Sequence, residues 1–249
     1  MRTLLPAGGA RNALDCALWD IECKQSGVTV WEKTRITPKP LVTVATVGMG
    51  TPREMADKAR AFAAYPHLKI KLSGDDPLTK LHAIREARPD ATLVIDVNQG
   101  WSMAELETYL PELEKLEVAM VEQPLPRGAD WELAGFSSPI PLGGDESCVD
   151  LSEYEEAATK YDVINIKLDK CGGLTEALEI ARVAQADNKA LMVGNMTGTS
   201  LSMAPSHVIG QMCRFVDIDG PLLLASDITP GLTYQDGGLV SPPTPDLWG

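Results

Sequence analysis

The sequence predicts an α/β fold of the TIM type, a closed barrel of parallel strands with the topology (β/α)7β. Eight short apolar runs of strand character begin 21 to 28 residues apart along the 249-residue chain. Between several of them lie amphipathic segments, in which apolar residues recur at three- and four-residue steps typical of helices. The runs are continuously apolar, as expected of strands buried on both faces of a parallel sheet.

The predicted strands follow one another at an even pitch. They begin near positions 41 (LVTVATVG), 67 (HLKIKLSG), 91 (ATLVIDVN), 117 (EVAMVEQP), 138 (SPIPLGGDE), 162 (DVINIKLD), 190 (ALMVGN) and 214 (RFVDID). The clearest predicted helices between them cover 52–64, 77–88, 102–115 and 174–187. An open doubly wound sheet is disfavoured, because no GxGxxG motif follows the first strand and such a sheet rarely has eight strands of even pitch.

Two segments lie outside the repeat and flank a barrel at 38–220. Residues 1–37 contain a predicted helix at 10–27, which carries Leu14, Leu18 and Ile21 and ends at Gly27. Residues 221–249 are rich in proline and glycine. We expect this last segment to form a tail that folds over the surface of the barrel.

Composition excludes several classes of protein. The chain has 35 acidic and 22 basic residues, a net charge of −13, so it lacks the clustered cations of a nucleic-acid-binding surface. No apolar run is long enough to span a membrane or to form a signal peptide, and we predict a cytoplasmic protein. The five cysteines are odd in number and form no CxxC pair, which favours reduced thiols.

Acidic residues close three consecutive predicted strands. Asp96, Glu122 and Asp145 each follow an apolar run, and the carboxyl ends of barrel strands meet at one mouth, where TIM-barrel active sites lie. Three carboxylates on neighbouring strands suit Mg²⁺, with other coordination positions left for water and substrate. We expect Asn98 and Gln123 to hydrogen-bond around these ligands.

Two lysines end strands that are four apart in a ring of eight. Lys71 and Lys167 therefore face each other across the barrel, with the carboxylates between them. Two amines on opposite faces of one carbon predict a two-base reaction that inverts a stereocentre. Lys69 lies on the same strand face as Lys71. We expect it, together with a metal that stabilises an enediolate, to lower the lysine pKa values.

These motifs together resemble the enolase superfamily, in its muconate-lactonizing subgroup, and more narrowly its dipeptide epimerases. The resemblance runs from 68 to 221, through LKIKLSG, VIDVNQGW, VEQPL, GGDES, INIKLDKCGGLTEA, VGNMTGTSL and VDIDGP. It implies Mg²⁺ on Asp96, Glu122 and Asp145, and Lys71 and Lys167 as the acid/base pair. It also implies an N-terminal capping domain, of which residues 1–37 would be a remnant, and exposed apolar surface there that favours a homo-oligomer.

The resemblance also indicates a substrate. An Asp-x-Asp at the end of the eighth strand, here Asp217 and Asp219, would hold the ammonium group of a dipeptide, with Asn195 and Thr197 also facing the substrate. The commonest such activity is L-Ala-D/L-Glu epimerisation in peptidoglycan recycling. Alternatives are N-acylamino-acid racemisation, o-succinylbenzoate synthesis, and a barrel without catalytic activity. Asp217 and Asp219 could instead be turn residues before Gly220-Pro221.

Overall fold

The computed structural model describes residues 4–249 and contains the predicted barrel. The strands are β1 (Leu41–Val42), β2 (Ala45–Val47), β3 (His67–Lys71), β4 (Thr92–Asp96), β5 (Val118–Glu122), β6 (Leu142–Gly144), β7 (Val163–Lys167), β8 (Ala190–Gly194), β9 (Phe215–Val216), β10 (Tyr234–Gln235) and β11 (Leu239–Val240). Eight parallel strands pair in sequence order from β2 to β9, and three short strands form a separate antiparallel sheet in the order β1, β11, β10.

The helices of residues 4–249 are α1 (Gly9–Ser26), α2 (Val30–Thr34), α3 (Pro52–Ala61), α4 (Pro77–Ala87), α5 (Met103–Lys115), α6 (Tyr154–Ala158), α7 (Leu168–Cys171), α8 (Leu174–Ala186) and α9 (Ser200–Gly210). The five predicted helices lie close to their predicted positions, and α2, α6, α7 and α9 were not predicted. Capping boxes at Thr51 and Ser102 start α3 and α5. The connection from β5 to β6 has only a 3₁₀ turn, Trp131–Leu133. Four prolines in that connection remove the amide donors that a longer helix needs.

The first and last barrel strands meet, which closes the ring. The amide of Val44 donates to the carbonyl of Val216 at 2.9 Å, and the amide of Ile218 donates to Thr43 Oγ1 at 3.0 Å. The run predicted as one strand from 41 is divided here. Its first two residues pair with β11, and its continuation enters the barrel as β2.

The interior of the barrel has an apolar layer below a polar one. Val94, Met120, Val163, Met192 and Phe215 form a buried cluster of their own inside the ring. Because alternate residues of a strand point to the same side, the residues two positions later also point inwards, at the carboxyl ends of the strands. Those residues are Asp96, Glu122, Asn165, Gly194 and Asp217.

Helix α1 lies against α7 and α8 by its polar side. Arg11, Asn12 and Asp15 are buried, whereas Leu14 and Leu18 are 44% and 46% exposed. The C-terminal segment reaches the same helix, since Trp248 Nε1 donates to the carbonyl of Cys16 at 2.8 Å. Within residues 4–249, no helix combines the length and apolarity needed to cross a bilayer.

Candidate active site

A cavity of about 440 Å³ opens at the carboxyl ends of the barrel strands. It is lined by residues from β2 through to the segment after β9, so nearly every part of the ring contributes. The lining residues that carry charge are Lys69, Lys71, Asp145, Glu146, Lys167, Lys170, Asp217 and Asp219. Eight charged groups around one cavity indicate a binding or catalytic site rather than a packing defect.

The three predicted metal ligands lie side by side on β4, β5 and the end of β6. Asp96 pairs in register with Glu122. Both carboxylates are buried, and both contact the ammonium group of Lys69. Lys69 Nζ lies 3.1 Å from Asp96 Oδ2 and 2.8 Å from Glu122 Oε2. Lys167 Nζ lies 2.6 Å from Asp145 Oδ2. The lysines therefore neutralise the carboxylates in this structure.

Burial and the neighbouring charges oppose one another at these carboxylates. Burial raises the pKa of Asp96, but Lys69 and Lys71 outweigh it and hold the pKa at about 2. Burial also raises the pKa of Asp145, and Lys167 and Lys170 bring it below its ordinary value. At Glu122 burial dominates, and the pKa rises to about 7. Asp96 and Asp145 are thus ionised near neutral pH.

The donor set fits a hard divalent cation. All three side chains offer carboxylate oxygens, and Glu122 Oε2 is buried without a hydrogen bond of good geometry. Among residues 4–249, no three histidine, cysteine or acidic side chains are grouped as a ready-made metal site. The ammonium groups of Lys69 and Lys167 lie between these carboxylates, and they mark positions where positive charge is stabilised.

The two predicted acid/base lysines reach the cavity from opposite sides. β3 and β7 are four strands apart in the ring, and Lys71 and Lys167 both line the cavity. Lys71 Nζ donates to Asp96 Oδ2 at 2.6 Å. Gly194 pairs with Lys167 in register, and a Cβ there would lie 2.8 Å from the lysine Cε. The glycine therefore leaves room for the Lys167 side chain.

The lowering of the lysine pKa values, expected from Lys69 together with a bound cation, stays a prediction, and the carboxylates set the direction of the shifts at Lys69 and Lys167 in this structure. Burial lowers the pKa of Lys167 and so does Lys69, as expected, but Asp145 and Glu122 outweigh both and raise it. Burial also lowers the pKa of Lys69, but the charges of Asp217, Glu122 and Asp96 outweigh it and raise the pKa well above its ordinary value. The sequence indicated the neighbouring amines but not how closely the carboxylates surround them.

Asp217 and Asp219 line the cavity on the side of β9. Asp217 Oδ2 lies 2.9 Å from Lys69 Nζ, and Asn195 Nδ2 donates to Asp217 Oδ1 at 3.0 Å. Asp219 Oδ2 accepts from the amide of Thr46 at 2.9 Å. Burial, and then the charge of Asp217, raise the pKa of Asp219 to about 7. Thr197 lines the same cavity.

Comparison with known proteins identifies the family. Residues 53–245 match the model of the family described as enolase C-terminal domain-like. The chain belongs to the enolase superfamily. The match runs from α3 to the C-terminal segment and includes every site residue predicted from the sequence.

Relatives within the enolase superfamily include racemases and epimerases of amino acid derivatives. The chain is 42% identical to an N-acetyl-D-glutamate racemase from a Pseudoalteromonas species, over 98% of this chain and 78% of the relative. It is 41% identical to L-Ala-D/L-Glu epimerase of Escherichia coli strain K12, over 96% of this chain and 75% of the relative. About a quarter of each relative lies outside the match.

Solved structures of enolase superfamily proteins share the whole fold. An Agrobacterium tumefaciens member with homology to dipeptide epimerases, solved with sodium and L-Ala-L-Glu, has a TM-score of 0.95 and 45% identity, covering 100% of this chain and 76% of its own. A dipeptide epimerase from Cytophaga hutchinsonii, complexed with Mg and D-Ala-L-Val, has a TM-score of 0.91 and 27% identity, covering 97% and 70%.

Several residues around this enolase superfamily site were not predicted as part of it. Asn165 Nδ2 donates to Glu122 Oε1 at 2.7 Å, and Lys170 Nζ donates to Asp145 Oδ1 at 2.6 Å. Their signals lay in the INIKLDK segment: Asn165 is two residues before Lys167 on the same strand face, and Lys170 follows it by one helical turn. Asn98 Nδ2, which was predicted, donates to Asp96 Oδ1 at 2.7 Å.

Gln123 joins the carboxylate wall to a buried polar network. Its Oε1 accepts from the amide of Asp145 at 2.8 Å, and its Nε2 donates to Tyr161 at 2.9 Å. The Tyr161 hydroxyl in turn donates to the buried Asp130 at 2.7 Å. Asp130 and Tyr161 are 31 residues apart, so no local pattern could show that they meet.

Proposed function

We propose that the chain is a Mg²⁺-dependent dipeptide epimerase that acts by two-base 1,1-proton transfer. The observation that carries the proposal is the placement of Lys71 and Lys167 on opposite sides of one cavity. Asp145 lines that cavity, and Asp96 and Glu122 end two of the strands that lie between β3 and β7. A substrate Cα in that cavity has one amine on each face. This arrangement is what inversion of a stereocentre requires.

The chain's own residues would divide the work. One lysine, in its neutral form, takes the α-proton, and the ammonium of the other returns a proton to the opposite face. Asp96, Glu122 and Asp145 would hold Mg²⁺, which supplies positive charge beside the substrate carboxylate and makes the α-proton more acidic. Asn98 and Asn165 hold two of these carboxylates in orientation through hydrogen bonds at 2.7 Å.

Asp217 and Asp219 support a substrate with a free ammonium group. Both are buried and both line the cavity, and burial, together with the charge of Asp217, raises the pKa of Asp219 to about 7. A bound ammonium would stabilise the ionised pair. The relatives from E. coli and A. tumefaciens point the same way, since the first is an Ala-Glu epimerase and the second was solved with L-Ala-L-Glu.

Racemisation of an N-acetylated amino acid is the second candidate. The Pseudoalteromonas relative, at 42% identity, is an N-acetyl-D-glutamate racemase. Ala-Glu and N-acetylglutamate share an N-acylated glutamate, so the two reactions need the same lysines and cation. They differ at the acyl group, because only the dipeptide carries an ammonium for Asp217 and Asp219.

The proposal is tested by incubating the purified chain with Mg²⁺ in D₂O, with L-Ala-L-Glu and N-acetyl-L-glutamate in separate reactions. We expect the dipeptide to be epimerised and to gain deuterium at the glutamate α-carbon. EDTA should abolish both the epimerisation and the deuterium incorporation. A Lys71→Ala/Lys167→Ala double variant controls for contaminating activity. Turnover of N-acetyl-L-glutamate alone would select the second candidate. Absence of exchange in both substrates, and across a wider dipeptide set, would contradict catalysis by this chain.

A further inference from the structure

We propose that α1, which lies outside the barrel, positions Lys167 for catalysis through Arg11 and Asp15. The inference rests on the proposed function, because it assigns Lys167 one face of the substrate. Arg11 and Asp15 are positioning residues. They contact the segment that follows Lys167 along the chain, and neither lines the cavity.

Two buried side chains of α1 hold that segment directly. The Arg11 guanidinium donates to the carbonyl of Cys171 at 2.5 Å, the last residue of α7, and lies 3.3 Å from Glu176 Oε2. The Asp15 carboxylate accepts from the amide of Thr175 at 2.9 Å and from its hydroxyl at 2.7 Å. The first contact fixes the end of α7, and the second fixes the first turn of α8.

The chain between α7 and α8 is shaped around these side chains. Gly172 and Gly173 have φ of 85° and 115°, a region that side chains rarely adopt. A Cβ on Gly172 would overlap the Arg11 guanidinium, and a Cβ on Gly173 would lie 2.5 Å from Asp15. Arg11 and Asp15 therefore occupy the space where side chains of the turn would stand.

Helix α7 transmits this placement to the site. It has only four residues, Leu168–Cys171, and Lys167 is its N-cap. A helix of this length is not stable by itself, so its position depends on what it packs against. Lys167 and Lys170, at its two ends, donate to the two oxygens of Asp145, each at 2.6 Å. A shift of α7 would move both ammonium groups relative to Asp145 and to the substrate.

The test uses the two faces of the reaction. If Lys167 serves one face, loss of Arg11 slows α-proton exchange in D₂O from one epimer of the dipeptide and leaves exchange from the other, which depends on Lys71. We expect Arg11→Met to lower the affected rate by up to about a hundredfold, as misplacement of a catalytic group by about 1 Å does. A general loss of folded protein would slow both epimers equally.

Arg88→Met is the matched control. Arg88 is also a buried arginine that donates to backbone carbonyls, those of Phe62 and Tyr65 at 2.6 and 2.8 Å, and pairs with a carboxylate. It does not line the cavity. We expect Arg88→Met to affect both epimers alike. Where Arg11→Met does not fold, Asp15→Asn gives the same comparison with a smaller change.

A second measurement does not depend on activity. Amide hydrogen exchange followed by mass spectrometry should show faster exchange in the 168–175 peptide of Arg11→Met than in the parent or in Arg88→Met. Unchanged protection there, or equal slowing of both epimers, would overturn the inference. If the parent exchanges neither epimer, the proposed function fails on its own, and the protection of the 168–175 peptide still decides whether α1 holds α7.

Discussion

Replacing Asp219 with asparagine distinguishes a site for dipeptides from a site for N-acetylated amino acids. The asparagine side chain keeps an oxygen that can accept from the amide of Thr46, the bond at 2.9 Å that joins β2 to the segment after β9. The change therefore removes a negative charge from the cavity while it leaves the local backbone contact in place. We expect barrel closure to persist and recognition of an ammonium to suffer.

The size of the effect follows from what the charge does. A hydrogen bond to a charged group contributes about 1.5–3 kcal/mol, and each 1.4 kcal/mol corresponds to about a tenfold change. Asp219→Asn should lower kcat/KM for L-Ala-L-Glu by about ten- to a hundredfold. Asp219 is 3% exposed, so solvent screening of the interaction is small. The affinity for Mg²⁺ should not change, because none of the proposed ligands contacts Asp219.

The assay compares L-Ala-L-Glu with N-acetyl-L-Ala-L-Glu on the parent and the variant, with Mg²⁺ binding followed by calorimetry. Asp162→Asn is the control, since Asp162 also accepts a neighbouring strand's amide, that of Leu142 at 3.0 Å, but at the amino ends of the strands. The parent should prefer the free amine and the variant should lose that preference. Equal turnover of the two substrates by the parent would refute an ammonium site at Asp217 and Asp219.

Three further results are expected. Asp96→Asn should abolish calorimetric Mg²⁺ binding and turnover, because it removes an ionised ligand; unchanged affinity would contradict the metal assignment. Lys71→Ala and Lys167→Ala should each stop epimerisation. Each variant should still exchange the α-proton of one epimer for deuterium, a different epimer for each variant, as measured by NMR. Epimerisation by both variants would rule out the two-base mechanism. Burial lowers the pKa of His207 from 6.5 to about 4. As the pH falls, His207 is therefore protonated in the unfolded chain before it is protonated in the folded one. This difference should lower the free energy of unfolding by about 3 kcal/mol between pH 6.5 and 4. The free energy of unfolding, measured by urea titration at several pH values, should fall more steeply for the parent than for His207→Gln between pH 6.5 and 4. Parallel plots of this free energy against pH would contradict the lowered pKa of His207.

The fold was predictable because its signal is local and repeated. Each strand run and each amphipathic helix is defined by residues within a window of about 18 or fewer, and a parallel pairing of neighbours places all strand ends at one mouth. The predicted ranges 77–88 and 174–187 differ from α4 and α8 by one residue at the C-terminal end. The connection from β5 to β6, which has a 3₁₀ turn in place of an α-helix, also had a local signal, its four prolines.

The arrangement of charges inside the barrel was not predictable. Lys69 was expected to act on neighbouring lysines, but its Nζ also contacts Asp96 on β4, Glu122 on β5 and Asp217 directly after β9. Only closure of the ring brings β9 beside β2 and Asp217 within 2.9 Å of Lys69. The pKa directions follow from those distances and from burial, neither of which is encoded by spacing along the chain.

The barrel, the order of its strands and the residues at the carboxyl end of each strand are predictable from the sequence, because strand runs and helical periodicity are properties of neighbouring residues. Which of these residues touch depends on how the chain packs in three dimensions. This packing buries the polar side of α1 and leaves Leu14 and Leu18 exposed, since Arg11 and Asp15 find partners 160 residues away at Cys171 and Thr175. Hydrogen-bond partners so far apart are set by the closed ring, in which packing of every unit fixes the position of the next.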